Sequence, residues 1–555
     1  MKMKNDQSME MPVAIIGIGC LFAKSAGLTD YWRLLYHGLD GIEDPPETHA
    51  HLNAYFHENP KLTDHIYCKR GGFLPTIPFD PTEFGIPPAA LEATDTSQLL
   101  GLLAAKMALA DAGYGKNGKP FGKEKTSVIL GVTGTQELVV ALGSRLGHPK
   151  WRDALQQSGI QPQKAEEVVR RISDAYVGWQ ENSFPGLLGN VVAGRICNRL
   201  DLGGTNCVVD AACASSLSAL HLAMLELLSE RSDMVITGGV DTLNDIFMHM
   251  CFSKTGVLSK TGNARPFSKL ADGTVLGEGV GLMVLKRLSD ARRDGDRIYA
   301  VIKGLGSSSD GKSQSIYAPR ADGQARALRL AYERARVNPD TIGLLEAHGT
   351  GTRVGDQVEF QALRQVFGQN HGPTQRCALG SVKSMIGHTK AAAGAAGLIK
   401  AALALYHKVL PPTLKADDPD PALEIEASPF YLNTEVRPWL SSQERPRRSG
   451  VSAFGFGGSN FHVVLEEHQA QKLEPAWDGS VQILAFCGQD RMAVADAVRQ
   501  LKNELGPSAS PALFAYLASQ SRRRFHSDSP HRLLLLIDDG KGTSGINRIL
   551  DPALH

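Results

Sequence analysis

The chain has 555 residues, 42% hydrophobic and 21% charged, with 59 Lys and Arg against 58 Asp and Glu and a formal net charge of +1. That length suggests two to four units, and the balance suits a globular protein able to bury a large core. A near-zero net charge provides no overall field for nucleic acid or an acidic membrane, and apolar runs such as "LLLLI" (533–537) fall far short of the ~20 residues of a spanning helix.

The N-terminus, "MKMKNDQSMEMPVAIIGIGC", has no uninterrupted apolar region ahead of a small-residue cleavage site. It reads as a short disordered lead into a first strand rather than a signal peptide. "VAIIGIGC" (13–20) predicts a buried strand entering a glycine turn; the dinucleotide-binding fingerprint fails because Phe22 stands at its sixth position. Apolar spacing over 97–113 predicts a helix ended by Gly113. "TSVILGVTG" (126–134) predicts another buried strand, and the polar stretch 145–185 an insertion or cap.

"NCVVDAACASSLSALHLAMLELLSE" (206–230) is a short strand, a cysteine among small residues, and a long apolar helix. Cys213 there can be a small buried hydrophobe. It can also be a nucleophile, because the positive end of a helix dipole and unpaired N–H groups lower a thiol's pKa. Both readings stand on local sequence alone.

A strand (233–241), a glycine-rich loop (256–279), and a strand, charged link and strand follow. "DGQARALRLAYERA" predicts a helix and "IGLLEAHGTGT" a strand entering a loop. "CALGSVKSMIGHTKAAAGAAGLIKAALALYHKVLPP" predicts strand, loop, long helix and proline stop. "SGVSAFGFGGSNFHVVLEE" (449–467) predicts two strands meeting at a glycine corner. Alternating strands and helices imply an α/β layered protein. Two strand–loop–helix junctions, one bearing Cys213 and the other His388, suggest an internal duplication. Beyond about residue 468 a small α/β module is expected, ending in a loose "GKGTSGINRILDPALH" as if cut from something longer. The eight scattered cysteines contain no CxxC pair, which argues against a zinc or disulfide framework and suits a reducing cytoplasm.

Three sites in turns carry reactive side chains: Cys213, among alanines and serines; His348, beside glycine, with Asp356 and Glu359 eight and eleven residues on; and His388, beside glycine and threonine, with Lys383 five residues before it. Either histidine alone is equally a capping or core residue. Together they supply a nucleophile, two imidazoles and a cation, the parts of covalent acyl transfer. "FGFGGSNFH" (454–462) is either a hairpin corner or a place where a backbone N–H meets a thioester oxygen.

"DAACASSL", "EAHGTGT", "VKSMIGH" and "GFGGSN", in this order and spacing, closely resemble the β-ketoacyl synthase family over roughly residues 11–467. Within it the chain looks most like ketosynthase domains of iterative polyketide synthases and polyunsaturated fatty acid synthases, including the enediyne subgroup. The region 468–555 resembles the linker between ketosynthase and acyltransferase. The resemblance implies a thiolase-type five-layered α-β-α-β-α duplicated fold and a cytoplasmic homodimer inside a larger synthase, with an acyltransferase downstream. It implies no bound cofactor or metal; phosphopantetheine arrives on an acyl carrier protein. Cys213 would hold the acyl chain, His348 and His388 would promote decarboxylation of malonyl carrier protein, and Lys383, Glu359 and Asp356 would support them. The amides of Cys213 and Phe456 would form the oxyanion hole, and Thr350, Thr352, Phe454, Phe456 and Gly457 would contact substrate. A non-catalytic chain-length-factor-like partner, a cysteine hydrolase and a thiolase-like non-decarboxylative enzyme are the competing readings.

Overall fold

The computed structural model describes residues 12–551 except 117, 135, 313–314, 369–373, 441–445, 469–480, 507–509 and 539–549. The expected N-terminal lead and nearly all of the expected loose C-terminal tail therefore lie outside the described residues. The chain forms two compact units, Met1–Ala470 and Gln471–His555.

The larger unit is built on eleven strands: β1 Val13–Phe22, β2 Thr126–Gly131, β3 Asn206–Val209, β4 Met234–Asp241, β5 Gly279–Arg287, β6 Ala300–Ser309, β7 Leu344–Glu346, β8 Cys377–Gly380, β9 Phe430–Leu432, β10 Arg448–Gly455 and β11 Ser459–Glu466. Their order in space is β9-β8-β7-β10-β11-β6-β1-β5-β4-β2-β3. Outward from the β6–β1 junction, both sides repeat one pattern. β1 and β5 are antiparallel, as are β5 and β4, while β2 runs parallel to β4 and to β3. On the other side β6, β11 and β10 are antiparallel in turn, and β7 runs parallel to β10 and β8. The expected duplication is thus present in the topology, with β3 and β8 in equivalent places and β9 added at one edge. Three residue pairs join the halves: Val13↔Ile302, Ala14↔Val301 and Ile15↔Ala300.

Six helices complete the layers: α1 Thr96–Asp111, α2 Val191–Leu200, α3 Ser215–Leu228, α4 Ala321–Ala335, α5 Arg353–Val366 and α6 Ala393–His407. α1 and α2 pack on the outer face of the first half, and α4 and α5 on that of the second. α3 and α6 lie in the shared central core. Ala393 to Leu405 of α6 are all buried, which suits a helix of small and apolar residues covered on every side. The result is the expected five-layered thiolase-type arrangement.

The glycines of "GIG" in β1 have a packing role. A Cβ at Gly17 would lie 2.4 Å from the Ala108 carbonyl oxygen, and one at Gly19 2.1 Å from that of Ala104, both on α1. The second half repeats the device: a Cβ at Gly306 in β6 would lie 2.1 Å from the Ala327 carbonyl oxygen on α4. Strand and helix approach this closely only without side chains between them.

The stretch expected as an insertion, 145–185, contains helices His148–Gln157 and Pro162–Ser173; helix Glu137–Arg145 ends at its start and helix Ser183–Leu187 overlaps its end. The smaller unit pairs antiparallel strands Val481–Gly488 and His531–Asp538. They share a core of Leu484, Phe486, Val498, Leu501, Phe514 and Leu517 with helices Arg491–Leu505 and Pro511–Arg523. Among the described residues no helix is long and apolar enough to cross a membrane.

Candidate active site

Cys213 sits where β3 hands over to α3, in a single 3₁₀ turn, Ala212–Ala214. Ala212 adopts φ +50°, a left-handed conformation that costs a non-glycine residue about 1–3 kcal/mol. Neighbouring polar groups hold that turn. The Asp210 carboxylate accepts the Ala212 N–H at 2.9 Å, and Ser215 Oγ accepts the Ala211 N–H at 2.9 Å while donating to the Ala212 carbonyl at 2.6 Å. Ser216 Oγ accepts the Ala395 N–H of α6 at 2.9 Å, tying the Cys213 turn to the second half. The small residues of "DAACASS" are therefore the hydrogen-bonding and packing parts of one tight turn.

Cys213 is 6% exposed. Burial pushes its thiol up to about 11, against the pull of Lys383, the Phe456 amide and Lys390. The lowered pKa expected from the helix start is not found, because removal from water outweighs the groups that favour thiolate.

His348 follows β7 and His388 follows β8, with ring centroids 5.5 Å apart and planes at 83°. The Phe454 N–H donates to His348 Nδ1 at 3.4 Å, and the Lys390 N–H donates to His388 Nδ1 at 3.2 Å. An Nδ1 that accepts a hydrogen bond leaves the neutral ring's proton on Nε2. Burial, followed by the nearby Lys383 charge, holds both rings well below the usual histidine range. Both are therefore neutral donors through Nε2.

Glu359 and Asp356 come from the first two turns of α5 and are fully buried. Glu359 accepts the N–H groups of His348 at 2.8 Å and Gly349 at 2.7 Å, so it holds the histidine's own loop. Asp356 accepts the N–H groups of Phe267 at 2.7 Å and Gly351 at 3.2 Å. Burial raises Glu359 to about 7 and Asp356 to about 8, while these amides and Lys383 pull them back. Burial lowers Lys383, and Glu346, Glu359, Cys213 and Asp356 oppose that shift.

A cavity of about 690 Å³ is lined by Cys213, His348, His388, Glu359, Thr350, Thr352, Phe454 and Phe456, among others. Thr350 Oγ1 and Thr352 Oγ1 are 2.9 Å apart. The Phe456 backbone amide is among the groups that pull the Cys213 thiol down, and the Phe456 ring, 44% exposed, stacks on Phe252 at 6.1 Å. Gly457 lies in the adjoining turn at φ +91°, its N–H on the Ile316 carbonyl at 3.1 Å. Among the described residues Cys213 is the only cysteine on the cavity wall.

Residues 10–291 match the β-ketoacyl synthase N-terminal domain, 299–417 its C-terminal domain, and 419–532 the ketoacyl-synthetase C-terminal extension. The chain belongs to the β-ketoacyl synthase family. It is a ketosynthase, an acyl-transferring condensing enzyme. It is 44% identical over 476 residues to a polyunsaturated fatty acid synthase of Thraustochytrium sp., covering 84% of this chain and 17% of that protein. It is 37% identical over 464 residues to polyketide synthase PksL of Bacillus subtilis, covering 83% of this chain and 9% of that one. The chain thus spans a small part of these curated relatives. Its fold matches the ketosynthase from module 6 of the bacillaene synthase of Bacillus subtilis 168, with TM-score 0.71 and 32% identity over 98% of this chain and 85% of that one.

The ketosynthase motifs located the cavity, but two buried ion pairs around it were missed. Glu346, at the end of β7, accepts the Val382 N–H at 2.6 Å and lies 2.7 Å from Lys400 Nζ. Asp241, at the end of β4, lies 3.0 Å from Lys390 Nζ. The available signal was a charge inside an apolar run, as in "GLIKAALAL" and "VITGGVD".

Proposed function

We propose that this ketosynthase joins a Cys213-bound acyl chain to malonyl carried on an acyl carrier protein, within a larger synthase of polyketide or polyunsaturated fatty acid type that works iteratively. The observation that carries this reading is the pair of neutral imidazoles, each with Nδ1 occupied by a backbone N–H, facing one cavity with the thiol. In the first step the Cys213 sulfur attacks the acyl thioester; the new S–C bond forms as the phosphopantetheine thiol leaves with the proton. In the second, the bond between the malonyl carboxylate and its α-carbon breaks. Carbon dioxide departs, and the electron pair becomes an enolate whose oxygen takes hydrogen bonds from His348 and His388 Nε2–H. The enolate carbon then attacks the Cys213 thioester, with the amides of Cys213 and Phe456 stabilising the oxyanion. Cys213 leaves as thiolate and is reprotonated, and the β-ketoacyl product stays on the carrier.

In this reading Lys383, with Glu359 and Asp356, sets the charge and position of the histidine loops. Thr350, Thr352, Phe454 and Gly457 receive the pantetheine arm, and Phe456 gates the cavity. Among the described residues β3 stands at the outer edge of the sheet, which supports a homodimer that pairs the two sheets edge to edge. Residues 468–555 serve as a linker toward a downstream acyltransferase, in the cytoplasm. The absence of a second cysteine on the described cavity wall counts against the thiolase alternative.

The test gives the acyl-loaded protein either malonyl or acetyl carrier protein. Only malonyl should be condensed, with one carbon dioxide released per product. Condensation of acetyl carrier protein without carbon dioxide release would overturn the mechanism in favour of a thiolase.

A further inference from the structure

The strength of His388 as a donor depends on what keeps its Nδ1 occupied. The Lys390 N–H that does so belongs to a residue at φ +45°, a conformation uncommon outside glycine. The Lys390 side chain is 3% exposed and its Nζ lies 3.0 Å from Asp241 Oδ1, itself 4% exposed. Lys390 Nζ also donates to the Gly277 carbonyl at 2.8 Å, and the other Asp241 oxygen accepts the Ala391 N–H at 3.1 Å. Asp241 comes from the first half and Lys390 from the second, so the pair crosses between the halves beside the reacting groups. Burying two charges costs desolvation that their attraction barely offsets, so such a pair adds little stability over an apolar one. Here it grips a strained residue from two sides.

We propose that the Asp241–Lys390 ion pair is a positioning device for His388. It locks Lys390 in its left-handed conformation, so that the Lys390 N–H holds Nδ1 and the proton stays on Nε2, the donor used in condensation. Neither side chain takes part in the chemistry directly. This rests on the ketosynthase reading above.

The test uses the full chain and the neutral double variant Asp241→Asn/Lys390→Met, which leaves no unpaired buried charge. Cys213 loading from the acetyl thioester of N-acetylcysteamine is followed by intact mass, and carbon dioxide release and β-ketoacyl product from malonyl carrier protein separately. Loading should stay within about twofold of wild type, while decarboxylation and condensation fall about tenfold or more, because a donor misplaced by an ångström loses much of its effect. Lys390→Arg, which keeps the charge, should recover most of the loss. A double variant that condenses at the wild-type rate, or loses loading and condensation equally, would overturn the proposal. If the double variant does not fold, Asp241→Asn alone must show the same split, since it keeps an oxygen for the Ala391 N–H; equal rates in both steps would then overturn it. A wild-type protein that neither loads Cys213 nor decarboxylates malonyl would instead refute the ketosynthase reading.

Discussion

Gly455 ends β10 against the Cys213 turn, and replacing it with alanine tests how closely the two backbones must meet. The added Cβ would lie 2.1 Å from the Ala211 carbonyl oxygen and 3.3 Å from the Ala214 nitrogen. The first distance is about 1.3 Å inside ordinary van der Waals contact, and both neighbours are backbone rather than flexible side chain. Either the Ala211–Ala214 turn or the strand leading to Phe456 must therefore move by a large part of an ångström. Overpacking of this kind costs about 1–3 kcal/mol of stability. A shift near 1 Å between the Cys213 thiol and the Phe456 amide can slow the chemistry about 10²-fold. The loss should fall on the loading step itself, because the thiol and the Phe456 amide proposed as an oxyanion donor are displaced relative to each other. Loading of an acyl thioester would be timed by intact mass, alongside urea unfolding. A Gly455→Ala protein that loads within about twofold of wild type at unchanged stability would refute the argument that this contact sets the geometry.

Cys213→Ala should remain folded and gain no acyl mass; equal mass gain in wild type and variant would remove Cys213 from its role. His348→Ala and His388→Ala should each still load Cys213 but lose condensation by about 10²–10³-fold, roughly 2.7–4 kcal/mol of barrier per lost donor. Full condensation activity in either variant would exclude that ring from the reaction. Because both rings are held well below the usual histidine range, they stay neutral as pH falls through the value at which a free histidine takes a proton. Histidine protonation should therefore take nothing from condensation by preloaded protein between about pH 8 and 6. A fall in that window should come from protonation of Asp356 and Glu359, raised to about 8 and about 7, and vanish in Asp356→Asn/Glu359→Gln, whereas a midpoint near ~6.5 that persists in that variant would show a freely titrating histidine.

The reactive residues were legible because each stands in a short turn whose neighbours are chemically restricted. Cys213, His348 and His388 are each flanked by glycine, threonine or small residues that only a tight turn needs, and the fold brings all three to one cavity. The same local view misjudged the thiol. A helix start can be read from "CASSLSALHL", whereas the burial that pushes the thiol up comes from layers far away in the chain. Partnership was likewise hidden. Asp241 lies 150 positions before Ala391, whose N–H it accepts, and no pattern of spacing links such groups. In β1 the apolar run showed a strand, but the reason for Gly17 and Gly19 lies in Ala104 and Ala108 of a helix more than eighty residues later.

The repeated halves also impose a timetable on the ribosome. β1 pairs along its length with β5, so its partner does not exist until Gly279–Arg287 have been made. At roughly 5–20 residues per second, that strand waits about 13–50 s after emerging. During the wait "VAIIGIGCLF" is an apolar segment with unsatisfied backbone edges, the kind of nascent chain that holdase chaperones retain. The second half closes only when β11, starting at Ser459, reaches β6. The thiol is thus synthesised long before the groups that complete its cavity, and that cavity is among the last parts of the larger unit to form.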